Sequence, residues 1–394
     1  MTHAVMSAEG GLLAYPFRLF FLLTSGFTAV AMALWLAALS GYPPLVPVAS
    51  PSTWHAHEML YGLVVAAIAG FLLTAMTSWT GAAPLRGQGL AALALVWLAG
   101  RTCNLLAPPL LALLADQLFL LSLAVYVAQV LWRHQSRRNT VLALGLFVLA
   151  GGDAVVHAGL LLHDGQLSRM GLVLGFDVIT LLMVIIGGRI IPLFTNNWLR
   201  ARDATPAARI PLAALELGAI ISVVVLAAAS LLPLHPAVVA VAAGTAAVLN
   251  GWRLLRWRGW RTAAEPLLWS LHVAYAFIVV ALLLRAVSAV HGLAIATLWQ
   301  HALGVGGIGL MILAVMTRVS LGHTGRAMVL PRGMALAYWA LIIAALMRVG
   351  TAITWIPATG GLLISGSLWI AAYASFVIFY WPVLSRPRED GKPG

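Results

Sequence analysis

Runs of roughly 20 mainly apolar residues follow one another along this 394-residue chain, interrupted only by short polar breaks. A helix rising 1.5 Å per residue needs about that length to cross a bilayer core of roughly 30 Å. Measured that way, the sequence predicts about twelve spans, near 17–40, 57–78, 88–107, 110–132, 139–162, 171–192, 210–232, 236–255, 266–290, 297–319, 333–355 and 361–384. Composition agrees: 62% of residues are hydrophobic, 9% are charged and mean hydropathy is +0.98, which leaves no soluble surface to build. The expected fold class is therefore all-α, a polytopic membrane helix bundle. We read residues 1–394 as one integral-membrane domain with short tails, 1–16 and 385–394.

The formal charge of +12 would point to nucleic acid on a soluble protein, but here the basic residues alternate between loops. Arg86, then Arg133, Arg137 and Arg138, then Arg200, Arg202 and Arg209 fall on one side. Arg253, Arg256, Arg258 and Arg261, then Arg326 and Arg332, then Arg386, Arg388 and Lys392 join them there. The intervening "GYPPLVPVASPSTW" and "LLPLHPA" carry almost no positive charge. The positive-inside rule thus puts both termini in the cytoplasm, with no nucleic-acid partner and with lipid as surroundings. The start "MTHAVMSAEGGLLAYPFRLF" lacks the basic region, short apolar core and cleavage site of a signal peptide, so the first helix is expected to stay. Cys103 is the single cysteine, which excludes an internal disulfide, a cysteine-rich metal site, an iron–sulfur cluster and covalent haem attachment.

Ionisable groups within spans cost several kcal/mol unless partnered, and each is a functional candidate by default. "WHAHEMLYG" places His55, His57 and Glu58 at the outer end of the second span. By depth, His157 and His301 join them in an outer tier, while His272 and His323 lie towards the cytoplasm as a second tier. Neutral imidazole is the commonest metal ligand; haem b iron takes one or two, and copper two or three. In a regular helix, side chains two apart diverge by about 200°, so His55 and His57 would serve different partners unless the first turn is irregular. Glu58 suits an acceptor that orients an imidazole, or a proton relay. A lone membrane histidine is also a common interhelical hydrogen-bonding group, and Tyr61, four residues after His57, is more simply a packing residue.

Arg101, Arg285 and Arg348 fall near outer helix ends, where the positive-inside rule disfavours them. Haem propionates would need such partners; pairing with Asp116, Asp153, Asp177 or Glu216 is the competing role. Tryptophans near predicted helix ends read as interface anchors, and the glycines of "HALGVGGIGL" as close helix approach or room for a flat ring.

"WHAHEMLYGLVVAAIAGFLLTAMTSWTG", "GGRIIPLFTNN" and "QHALGVGGIGLMILAVMTRVSLGHTGR", in that order, resemble the NnrS family of bacterial membrane proteins. The resemblance covers essentially the whole chain. It implies a roughly twelve-span inner-membrane protein containing haem b and copper and linked to nitric oxide, denitrification and nitrosative stress. It brings no established reaction. His55, His57 and Glu58 match in the first motif, Arg189, Asn196 and Asn197 in the second, and His301, Arg318, His323 and Arg326 in the third; Arg189 and Arg318 join Arg101, Arg285 and Arg348 as cofactor-binding candidates. The expectation is a haem/copper protein that binds nitric oxide and turns it over or contains it, fed by quinol or another electron donor. His55, His57, His157 and His301 would then hold reactive metals, and His272 and His323 an electron-transfer haem. A twelve-span secondary transporter and a metal-binding sensor or assembly factor without turnover stay open. Against the carrier, no repeat is found at half-length, where only the endings "AMT" and "VMT" of spans two and ten agree.

Overall fold

A computed structural model describes residues 11–42, 49–202, 212–291 and 296–392. Arg209, His3, the first ten residues and part of the loop after the first span lie outside the described residues. Among the described residues there is no strand, and twelve helices are long and apolar enough to cross a membrane. They are α1 (Pro16–Leu39), α2 (Pro51–Thr80), α3 (Gly87–Leu106), α4 (Pro109–Arg133), α5 (Arg137–Leu161), α6 (Gly165–Arg200), α7 (Ala213–Leu231), α8 (Pro236–Arg256), α9 (Pro266–His291), α10 (Thr297–His323), α11 (Met334–Ala352) and α12 (Ala358–Leu384). The protein is a multi-pass membrane protein of the expected class. Exposed residues such as Leu95, Leu118, Val241 and Leu346 cover the outside with hydrocarbon, as lipid requires.

Most predicted boundaries fall within a few residues of the observed ones. Proline starts α1, α2, α4, α8 and α9, where its missing N–H costs nothing and its fixed φ suits the first turn. The largest departure is α6, which runs through Pro192 to Arg200 instead of ending near it. Neither end of α6 was visible as an apolar run, because hydropathy marks the membrane core and not the helix that extends past it.

Two of the spans are not regular. After His57, residues Glu58–Val64 of α2 form a π-helical stretch, and after His301 residues Ala302–Gly309 of α10 do the same. The wider i→i+5 turn shifts every following side chain around the axis, and such stretches gather at functional sites.

The chain packs as two compact units. The first comprises residues 1–175, 316–334 and 373–394, the second 176–315 and 335–372. In the first, Phe17, Phe20 and Phe21 of α1 are fully buried, and Gly70 of α2 lets α1 approach: a methyl group there would lie 2.8 Å from the Phe21 ring. Arg18 is fully buried as well, donating to the carbonyls of Leu384 and Arg386 at 2.7 Å each, so the end of α12 is tied to α1. In the second, Asn250 accepts a 2.6 Å hydrogen bond from Tyr275, which accepts one from Arg253, and Arg253 pairs with Glu216.

The units share a pattern. Residues 17–34 of α1 and 267–284 of α9 are buried, half-buried or exposed in the same order at every position. The helices that follow, α2 and α10, each carry a histidine immediately before a π-helical stretch. Arg101 is the fifteenth residue of α3 and Arg348 the fifteenth of α11. The eighth residue of α4 is Asp116, and the eighth of α12 is Ser365; both are buried. So α1–α4 and α9–α12 repeat one arrangement, offset by far more than half the chain.

Candidate metal centre

Ser50 accepts from the Thr53 amide at 3.3 Å and, with Pro51, starts α2 so that its first two turns carry His55 and His57. These turns are α-helical, and the two rings part company. His55 stacks on Trp35 of α1, ring centroids 4.7 Å apart and planes 12° from parallel. His57 turns the other way, into the interior of the first unit, where it is 3% exposed.

There His57 meets α4 and α5. Its Nε2 lies 2.8 Å from Asp153 Oδ1 and 3.6 Å from Asp116 Oδ2, while its Nδ1 lies 3.1 Å from Glu58 Oε1. His157, one turn after Asp153 on α5, brings Nε2 to 3.2 Å from Asp116 Oδ2 and 3.7 Å from Asp153 Oδ1. One donor atom from each of His57, Asp116, Asp153 and His157 falls within 4.8 Å of all the others. His157 Nδ1 is buried without a hydrogen-bond partner among the described residues.

Surrounding groups hold the carboxylates in place. Arg101 of α3 pairs with Asp116 and reaches Glu58 Oε2 at 2.6 Å. Asn104, one turn later, donates to Asp116 Oδ2 at 2.5 Å, and Gln117 donates to Asp153 Oδ2 at 2.8 Å. Gly62 leaves the space for this: a methyl group there would lie 2.7 Å from Glu58 Oε2 and 2.8 Å from Arg101 Nη1. Tyr61 lies against His57, centroids 5.3 Å apart, but its hydroxyl donates to the Gly171 carbonyl at 2.7 Å. Packing and one hydrogen bond therefore account for Tyr61.

Charge is the telling property of the cluster. Ionised together, Glu58, Asp116 and Asp153 would set three negative charges against the one positive charge of Arg101, and all four are at most 7% exposed. Two positive charges are missing before the imidazoles are counted. Buried charge left unbalanced costs several kcal/mol, so the cluster must take up two protons or one divalent cation.

The donor set suits the cation. A four-coordinate site with bonds of roughly 2.0–2.1 Å separates its ligand atoms by about 3.3 Å. The four histidine–aspartate separations run from 2.8 to 3.7 Å. Two imidazoles and two carboxylates without sulfur favour borderline divalent ions such as copper(II), zinc and iron(II).

The other candidates lie elsewhere. His301 of α10 belongs to the second unit; its Nδ1 donates to the Thr297 carbonyl at 2.8 Å and its Nε2 accepts from Arg348 at 3.1 Å. His272 of α9, also in the second unit, has Nε2 on the Thr195 hydroxyl at 2.9 Å, and a methyl group on Gly259 would lie 2.5 Å from its Nδ1. His323 ends α10 within the first unit, beside the Phe17 ring at 5.5 Å. His272 and His323 thus sit in different units. Arg285 pairs with Asp177 through both guanidinium nitrogens and reaches Ser230 at 2.7 Å. Arg189 of α6 and Arg318 of α10 are half-buried within their helices.

For Arg101 and Arg285, then, the partners are intramembrane acids. As an axial haem ligand His301 does not fit as it stands, because both its ring nitrogens are hydrogen-bonded, whereas His272 keeps Nδ1 buried without a hydrogen-bond partner among the described residues. Sequence reasoning had named Asp116 and Asp153 only as acids available to arginines, and it missed Asn104 and Gln117. The spacing Asp153-x-x-x-His157, one helical turn inside a span, was the signal available.

No curated relative matches the chain. The model of one family does match, over residues 11–388, nearly the whole length, and that family is described as the NnrS protein. This chain is a member of the NnrS family, multi-span membrane proteins linked to the response to nitric oxide.

Proposed function

We propose that this protein binds a divalent metal, copper in the first place, at His57, Asp116, Asp153 and His157, and uses it to bind nitric oxide and metabolise or contain it. The observation that carries the reading is the convergence of four buried donor atoms, two from imidazoles and two from carboxylates, within 4.8 Å of one another. Family membership supplies the gas. Nitric oxide is small, neutral and soluble in hydrocarbon, so it needs no polar channel to reach a buried centre.

Bound copper would supply a redox-active centre with affinity for nitric oxide. The chain's own groups do the rest. Arg101 holds Glu58 and Asp116, so that neither carboxylate swings away. Asn104 and Gln117 donate to Asp116 and Asp153 and so orient their carboxylates toward the histidines. Glu58, at 3.1 Å from His57 Nδ1, is placed to hold or pass a proton at Oε1. Leu60, Val64 and Trp97, all buried, keep water from the surroundings. The basic loops face the cytoplasm in this reading, with both termini, and a quinol or other membrane-soluble donor supplies electrons.

The test is metal analysis and electron paramagnetic resonance of the detergent-purified protein from copper-replete cells, before and after nitric oxide. Near-stoichiometric copper with a signal altered by nitric oxide, lost in His57→Ala and His157→Ala proteins of unchanged yield, is the expected result. A metal-free protein whose cluster holds only protons would overturn the metal centre and turn these residues into a proton-binding network of a carrier.

A further inference from the structure

The repeated arrangement isolates one arginine. In the first unit, Arg101 is neutralised by Glu58, which directly follows His57, and by Asp116, the eighth residue of α4. In the second unit the residue that directly follows His301 is Ala302, and the eighth residue of α12 is Ser365. Both acids are gone, while the histidine, the π-helical stretch and the arginine remain.

Arg348 consequently faces no carboxylate among the described residues. Its Nη2 donates to His301 Nε2 at 3.1 Å, and His301 uses its Nδ1–H on the Thr297 carbonyl, so the imidazole in this pairing is neutral. Ser365 donates to the carbonyl of Ala344, one turn before Arg348 on the same helix, at 2.9 Å. Arg348 is half-buried, as is His301. An unneutralised guanidinium within a span is expensive, and its planar fork matches a pair of oxygens.

We propose that Arg348, His301 and Ser365 form a binding site for a small anion with paired oxygens, a carboxylate or an inorganic oxyanion, that occupies the place of the deleted acids. The anion accepts from the Arg348 fork; the Ser365 hydroxyl, turned away from the Ala344 carbonyl, adds a second donor, and His301 donates from Nε2 when it takes up a proton with the anion. Two sources offer this chemistry, the propionate of a bound haem and a free anion in solution. The proposal stands apart from the metal centre, which lies wholly in the first unit.

The experiment is calorimetric titration of the detergent-purified protein with acetate and with nitrite, run on haem-free protein and again after haem loading. Saturable binding to the haem-free protein is expected, weakened at least tenfold in Arg348→Gln. It should be equally weakened in Ser365→Asp, where the chain carries its own carboxylate beside Arg348, as α4 does beside Arg101. Loss of anion binding on haem loading identifies a propionate as the occupant; unchanged binding identifies a free anion. Should wild-type protein show no saturable binding, or Arg348→Gln and Ser365→Asp bind as wild type does, the site is refuted. Gel filtration of each variant shows that it is folded, and Arg348→Lys, which keeps the charge without the fork, should bind with intermediate affinity.

Discussion

Two histidines precede two π-helical stretches, yet their surroundings differ in one respect that changes what each can bind. Around His57 there are three acids and one arginine; around His301 there is one arginine and no acid among the described residues. The first region gathers more acids than arginines and draws protons or a metal cation to its histidines; the second has an arginine with no acid among the described residues and calls for an anion. The same helical frame therefore supports opposite electrostatics, and the difference rests on Glu58 and Asp116 against Ala302 and Ser365. A buried or half-buried charge is set by its immediate partners far more than by the fold that carries it.

Removing the arginine from each region should expose the contrast most strongly. Arg101→Ala leaves Glu58 and Asp116 without their cation and should destabilise the protein by about 3–5 kcal/mol, as breaking a buried ion pair does. Arg348→Ala removes a charge that has no acid to abandon and should cost about 1 kcal/mol or less, the scale of one hydrogen bond. Thermal unfolding in one detergent measures both, and equal losses would show that the regions are not electrostatically opposite.

Metal retention gives the next largest effect. His157→Ala should lower copper content at least tenfold, since it removes one of four converging donors, whereas His301→Ala should leave it within about twofold. Mass-spectrometric metal analysis of matched preparations decides this, and copper lost equally in both would place the metal elsewhere. A smaller effect is expected from Gly62→Ala. The added methyl meets Glu58 and Arg101, and overpacking of this kind costs roughly 1–3 kcal/mol. Its counterpart Gly306, five residues after His301 as Gly62 is five after His57, would set a methyl group 2.3 Å from the Phe277 ring, so alanine there should cost a similar amount without touching a charged group. The smallest change is Tyr61→Phe, which loses the bond to the Gly171 carbonyl, about 1 kcal/mol, and should leave metal content intact. Copper lost in that variant would restore a chemical role to the hydroxyl.

Local properties of the chain were enough for the helices. Crossing hydrocarbon demands about 20 apolar residues in a row, a requirement each segment meets or fails alone, so the twelve spans could be counted from the sequence. The family, too, was legible in three motifs whose order and residues survive in the chain. The histidines could be nominated, because an imidazole within an apolar run is conspicuous wherever it ends up.

Partners could not be read in the same way. That His57 meets Asp153, that His55 stacks on Trp35 instead, and that Arg101 is taken by Glu58 and Asp116 depend on how five helices turn about their axes and how deeply each is set. A π-helical stretch rotates everything after it, and no hydropathy pattern announces one. The repeat escaped notice for a related reason: α1 and α9 conserve which positions are buried while their side chains have diverged. The sequence alone determined how many helices cross the membrane and which ionisable groups they carry inside. Tertiary structure decided which of those charges neutralise one another, because pairing is fixed by distances of a few ångströms between residues far apart in the chain.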